Sequence, residues 1–213
     1  LARTDIGVAE SAAVARVMEN GRLALGPEMA AFEQAFADYH GVSGAVMVNS
    51  GTSGLMVALM ALGVGPGDEV LMPALTFVGT INSILNAGAT PVLVDVDPKT
   101  ANIDYDRIEA AISDQTRAIM PVHLYGLAVE MSAITDIAEA RALLVVEDAC
   151  EAIGADYRGR KVGAIGDAGV FGFYPNKMLT TGEGGMVIAD DPALLDRCRA
   201  IVNQGRGVRN VPG

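Results

Sequence analysis

Apolar residues fall along this chain in two rhythms. Over residues 7–20, Val8, Ala12, Ala15 and Met18 recur at helical spacing, and over 27–39 Met29, Phe32, Ala35 and Phe36 do the same. Two packing helices are predicted there. Asn20-Gly21-Arg22 reads as the turn between them, and Gly26-Pro27 opens the second with Pro near its first position. From residue 45 the rhythm changes to a short apolar run, a turn and a helix-period segment, repeated. Strands are predicted at 45–48, 69–72, 91–94, 118–122, 143–147, 170–173 and 185–189, and helices at 55–62, 76–86, 105–112, 132–140 and 192–202. Near-continuous apolar strands alternating with helices imply an α/β fold, a mostly parallel seven-stranded sheet with helices on both faces. The chain divides into a helical segment at 1–40, a large α/β domain at 41–205 and, at 206–213, a loop that starts a connection to something further.

Composition changes this picture little. Half the chain is hydrophobic, and the glycines are numerous, as a well-buried α/β core requires. Acidic residues outnumber basic ones, 26 to 15, and no Lys/Arg run is long enough to track a phosphate backbone, so nucleic acid is not an expected partner. Cys150 and Cys198 stand far apart with no CxxC or Cys/His cluster, which argues against a disulfide framework and against a metal site. No apolar run reaches membrane length, and a reducing cytoplasm is the expected compartment. Leu1 in place of Met suggests that the native N-terminus lies further upstream.

In a wound parallel sheet, ligands bind beyond the carboxyl ends of the strands. Three polar positions follow strands here. Gly51-Thr52-Ser53-Gly54 opens a helix, where free N–H groups and the dipole favour an anion, although a Ser/Thr cap without a ligand would look the same. Glu147-Asp148 ends the apolar run Leu143-Leu144-Val145-Val146; a carboxylate at that depth needs a partner, either a protonated ring nitrogen or a buried Arg, unless it caps the next segment. Thr76-Phe77 follows another strand, and Phe77 either stacks on a flat cofactor or belongs to the core. A fourth feature, Lys177, sits between an aromatic strand and the turn Thr181-Gly182-Glu183-Gly184-Gly185. A desolvated lysine there can condense with an aldehyde, whereas an ordinary surface Lys would carry no chemistry. An anion cradle, a carboxylate, a ring and an amine are together the needs of pyridoxal 5′-phosphate.

The stretches Val48 to Leu55, Gly65-Pro66-Gly67-Asp68-Glu69-Val70, Pro73 to Phe77, Pro121-Val122-His123-Leu124-Tyr125-Gly126, Glu147 to Glu151 and Lys177 to Gly185 resemble the DegT/DnrJ/StrS family of sugar aminotransferases. The resemblance runs from about residue 20 to 207. It implies the large domain of a fold type I pyridoxal-phosphate enzyme, a homodimer with shared active sites and a smaller C-terminal domain that these 213 residues do not include. By the same resemblance Lys177 bonds covalently to the cofactor's aldehyde and Asp148 pairs with the pyridine nitrogen. Phe77 stacks on the ring, Gly51, Thr52 and Ser53 hold the phosphate, and Glu151 stands near the ring hydroxyl where the family often has Gln. Gly172 stands where the family commonly has a phosphate-binding Ser.

The activity implied is amino transfer from L-glutamate to a keto group of a nucleotide-linked deoxysugar, in cell-surface polysaccharide, including lipopolysaccharide, or antibiotic-sugar biosynthesis. Three alternatives stay open. A pyridoxamine-dependent sugar dehydratase is disfavoured by Lys177, and a non-catalytic regulatory protein on the same fold by Lys177 and Asp148. A Rossmann dinucleotide binder lacks its GxGxxG after the first strand of the sheet. Among residues outside this set, His123 reads as a hydrogen-bonded structural histidine or a base, and Cys150 as a small apolar residue. Glu183 either orients the lysine loop or faces solvent, and Arg206 and Arg209 either meet a diphosphate or are solvated.

Overall fold

A computed structural model describes residues 4–206. Two helices, α1 (Val8–Asn20) and α2 (Pro27–His40), precede β1 (Gly44–Val48). Then follow α3 (Gly51–Ala61), β2 (Glu69–Pro73), α4 (Val78–Asn86), β3 (Thr90–Val94), the short α5 (Ile108–Ala111), β4 (Thr116–Ile119), α6 (Met131–Arg141) and β5 (Leu144–Asp148). A two-residue hairpin, β6 (Asp156–Tyr157) and β7 (Arg160–Lys161), separates β5 from β8 (Ala168–Gly172), β9 (Gly185–Ala189) and α7 (Pro192–Val202). The seven main strands form one sheet in the order β1-β9-β8-β5-β4-β2-β3. Every adjacent pair is parallel except the two that β9 makes, with β1 and with β8.

Alternation along each strand divides the core between the two faces. Val46, Val48, Val70, Met72, Val146, Val170 and Val187 face one side and pack with Leu55, Leu59, Ile84 and Leu194 of α3, α4 and α7. Their neighbours in sequence face the other side, in two clusters. Leu71, Ile119 and Val145 meet Ile108 and Ile134 of α5 and α6, while Phe171, Met186 and Ile188 meet Phe36 of α2. Two-sided burial is why these strands read as unbroken apolar runs rather than as alternating ones.

Four predicted boundaries move. The helix read at 55–62 begins at Gly51, because Ser50 caps it and Ser53 returns the bond to Ser50 N–H. The strand read at 118–122 is β4 at 116–119; Pro121 has no N–H to continue the ladder. The helix read at 105–112 is a 3-10 turn, Tyr105–Arg107, followed by the four residues of α5. The helix read at 76–86 begins at Val78, with Phe77 at its cap. Among the described residues no helix is long and apolar enough to cross a membrane.

Candidate active site

The residues with chemistry gather where β1, β2, β4, β5 and β8 end. The floor is the start of α3. A Cβ on Gly51 would lie 2.6 Å from Cys150 Sγ and 3.2 Å from Gly172 Cα, so only glycine lets this helix sit directly on the ends of β5 and β8. Gly79 plays the same part beside it, since a Cβ there would lie 2.4 Å from Thr52 Oγ1. The N-termini of α3 and α4 thereby converge. Ser53 N–H is taken by Ser50 Oγ, and its hydroxyl lies in bonding range of Ser50 N–H and the Asn49 side chain. Ser53 thus serves the cap, and Gly51 and Thr52 carry the other early amides, which a helix leaves without internal partners.

Asp148 closes β5 and is buried, 5% exposed. Its Oδ2 accepts from Thr80 Oγ1 at 2.8 Å and its Oδ1 from Cys150 N–H at 3.2 Å. Because Thr80 gives its proton to Asp148, Thr76 Oγ1, 2.9 Å from Thr80 Oγ1, must be the donor of that second bond. Among the described residues no Lys, Arg or His forms an ion pair with this carboxylate. A buried anion met only by neutral donors has room for a cation, which is the fit a protonated pyridine nitrogen requires.

Lys177 lies on the loop between β8 and β9, which is closed at its base by Phe173 N–H donating to Gly184 O at 2.9 Å. Its Nζ donates to Glu151 Oε1 at 3.1 Å; the side chains are 18% and 30% exposed. The other carboxylate oxygen of Glu151 accepts from Tyr125 N–H at 3.2 Å. Cys150 lies between the two acids. Burial pushes its thiol well up, the Asp148 charge and hydrogen bond and the Glu151 charge add to that, and Lys177 pulls against them. Asp148 and Glu151 flank Cys150 on the segment that leaves β5, and Lys177 reaches that segment from the β8–β9 loop through its bond to Glu151.

Phe77 does not join the core. At 68% exposed it presents its ring beside Gly79 at the rim. Tyr125, Met178, Val78 and Tyr174 are also more than half exposed, so the site is an open shelf. His123 is not on it: fully buried, it bonds through Nε2 to Glu147 Oε2 at 2.9 Å, while Nδ1 accepts Val129 N–H at 3.1 Å. That is the structural reading of His123. Glu183 and Arg206 are exposed, and Arg209 lies outside the described residues, as does most of the predicted connection at 206–213. Among the described residues no His, Cys, Asp and Glu cluster is placed to hold a metal.

Thr80, Gly79 and Tyr125 were not singled out from the sequence. Thr80 had a signal, a hydroxyl in the buried stripe of α4 one turn after Phe77. The N–H of Tyr125 had none, because its aim depends on a turn and not on a side chain.

A wound parallel sheet with a lysine, a buried carboxylate and glycine-seated helix starts at its carboxyl edge defines a pyridoxal-phosphate protein of the aminotransferase fold. The chain belongs to the DegT/DnrJ/EryC1/StrS aminotransferase family, whose model matches residues 4–211. It is 52% identical over 174 residues to the GDP-perosamine synthase of Caulobacter vibrioides, a match covering 82% of this chain and 47% of that one. An aminotransferase structure from Psychrobacter cryohalolentis superposes with a TM-score of 0.95 at 37% identity, covering all of this chain and 56% of the other. NtdA of Bacillus subtilis, solved with its cofactor PMP bound, superposes at 0.84 and 37% identity, covering 88% and 42%. The chain spans about half the length of the curated relatives it matches. Pyridoxal 5′-phosphate, or its amino form PMP, is the cofactor of this family.

Proposed function

We propose that this chain is the cofactor-holding part, within residues 41–205, of a pyridoxal-phosphate aminotransferase that moves an amino group from L-glutamate to a keto group of a nucleotide-linked deoxysugar. One observation carries the reading: Asp148, a buried carboxylate met among the described residues by neutral donors only, shares a site with the part-buried amine of Lys177. The sugar half of the proposal is supported by the 52% identical relative, whose name is that of a GDP-linked sugar synthase. In this reading Lys177 Nζ holds the aldehyde carbon, Asp148 Oδ2 keeps the ring nitrogen protonated and Glu151 faces the ring hydroxyl. Phe77 lies on the ring, Gly51 and Thr52 direct their amides to the phosphate, and Ser53 holds that turn in shape. The bound cofactor supplies an electron sink for the carbanion formed at the donor carbon. Lys177, displaced by the donor amine, is the base that moves the proton at that carbon.

The open shelf supports a second element of the proposal. Phe77, Val78, Tyr125 and Met178 leave large apolar surface in water at the site itself, and a homodimer with shared active sites would cover it. A soluble cytoplasmic enzyme supplying amino sugars for cell-surface polysaccharide fits the same reading. In the test, the full-length protein and Lys177→Arg are compared for the visible absorbance of lysine-bound cofactor, then wild type is assayed by mass spectrometry with glutamate and nucleotide keto-sugars. The variant is expected to bind cofactor without that absorbance. An unchanged spectrum with cofactor bound would defeat the assignment of Lys177.

A further inference from the structure

We propose that Glu151 is the proton carrier for Lys177 when the lysine captures the cofactor's aldehyde. The inference rests on the reading above and adds a role that a contact to a ring hydroxyl does not include. A lysine amine is an ammonium at neutral pH and cannot attack a carbonyl until something takes a proton from it.

The geometry assigns that acceptor. Glu151 Oε1 is 3.1 Å from Lys177 Nζ, within the range over which a positioned side chain exchanges a proton. Asp148, the other carboxylate of the site, bonds to Thr80 and to the Cys150 amide, and among the described residues the Lys177 amine bonds to Glu151 and not to it. Glu151 instead has one oxygen fixed by Tyr125 N–H and the other turned to the amine.

The fixing of that first oxygen is built with care. Tyr125 lies at φ 55°, ψ 26°, a left-handed conformation that a non-glycine residue adopts only where its surroundings hold it. Buried Asn102 holds the turn in that shape: its Oδ1 accepts Leu124 N–H at 3.1 Å, and its Nδ2 donates to Leu127 O at 3.0 Å. His123 anchors the far side through Val129 N–H. Three hydrogen bonds from two buried side chains thus keep a strained turn whose N–H points at one carboxylate oxygen.

Glu151 takes one proton from the Lys177 ammonium, and the freed Nζ lone pair forms a bond to the aldehyde carbon as the carbonyl π electrons move to oxygen. Glu151 returns its proton to that oxygen, a second N–H proton follows, and the oxygen leaves as water as nitrogen forms the double bond. Of the three ammonium hydrogens, two depart in the water and one stays on nitrogen; the carboxylate ends as it began.

The test uses the full-length protein stripped of cofactor. Pyridoxal 5′-phosphate is mixed in by stopped flow and covalent attachment is followed by absorbance. Pyridoxine 5′-phosphate, which has an alcohol in place of the aldehyde, reports plain binding by calorimetry. Glu151→Gln is expected to slow attachment by about 100-fold, far more than the few-fold change in pyridoxine 5′-phosphate affinity that an altered contact to the ring hydroxyl would bring. Glu151→Gly is expected to be slow as well and to be accelerated by added formate. Attachment of Glu151→Gln at the wild-type rate would overturn the proposal. So would a slowing that follows lost pyridoxine 5′-phosphate affinity and does not respond to formate, since Glu151 would then only position the ligand. Failure of the functional reading looks different: Lys177→Arg would still develop the absorbance of attached cofactor.

Discussion

Glu147 and Asp148 are consecutive residues of one strand, both buried, and they face opposite sides of the sheet. On the α6 side Glu147 is saturated. Oε2 accepts from His123 Nε2 at 2.9 Å and Gly163 N–H at 2.8 Å, and Oε1 accepts from the amides of Ile165 and Gly166, both at 2.7 Å. Burial alone would raise the Glu147 carboxyl, but the His123 bond and the backbone N–H groups outweigh it and leave it below its ordinary value. On the α4 side Asp148 has a hydroxyl and one amide. The same side-chain charge, one residue apart, is closed on one face and open on the other. A satisfied carboxylate is a staple, and it locks the approach to β8 onto β5; an under-satisfied one is a place for a ligand.

One matched pair of substitutions in the full-length protein separates the two carboxylates. Asp148→Asn keeps the shape and removes the charge that would hold the ring nitrogen protonated. Turnover is expected to fall on the order of 1000-fold, with the urea midpoint close to wild type. Glu147→Gln makes the same chemical change and should do the reverse. Its amide would turn a donor toward backbone N–H groups, so stability is expected to drop by about 2 to 4 kcal/mol in urea titrations, with activity per folded molecule retained. If Glu147→Gln instead loses turnover without losing stability, the division between staple and ligand site is wrong. The pH dependence sharpens it. Because the folded-state pKa of Glu147 lies below its ordinary 4.5, its stabilisation is complete above that value and is lost as the pH falls through the folded-state pKa. Glu147→Gln should flatten that acid limb.

Much of this was legible from the chain, and what was missed has physical reasons. Strand positions followed from apolar runs, and Lys177, Asp148 and the start of α3 followed from their places at strand ends. The hairpin at 156–161 escaped because two-residue strands carry no periodicity. Its one signal was Arg158-Gly159 at the turn, both with positive φ, as a tight right-twisted hairpin needs. Pairings such as Thr80 with Asp148, 68 residues apart, depend on which helix lands beside which strand end, and spacing does not encode that. Phe77 was the reverse case. Four of the five phenylalanines, Phe32, Phe36, Phe171 and Phe173, do join one aromatic cluster, so the core reading suited the residue type. The exposure of the fifth is what sets it apart.

That aromatic cluster supplies the smallest of the expected effects, and it tests whether pH acts on the staple side of the sheet alone. His40 ends α2 with its ring 4.4 Å from Phe36 and 4.6 Å from Phe171, and Nδ1 bonds to Phe36 O at 2.9 Å. Burial pushes its pKa below the ordinary 6.5; the bond to Phe36 O opposes this and the Lys161 charge adds to it. The sign follows from the neutral ring being the form the fold prefers. Below about pH 6.5 the unfolded chain takes up a proton that the folded ring refuses, so stability declines with falling pH until the folded value is passed and levels off beneath it. His40→Asn keeps a donor for Phe36 O and cannot titrate. Urea midpoints measured between about pH 7.5 and 5 should slope for wild type and run flatter, and lower throughout, for the variant. Cofactor attachment by folded protein should be the same in both, because His40 packs beneath the sheet edge on the face opposite Asp148.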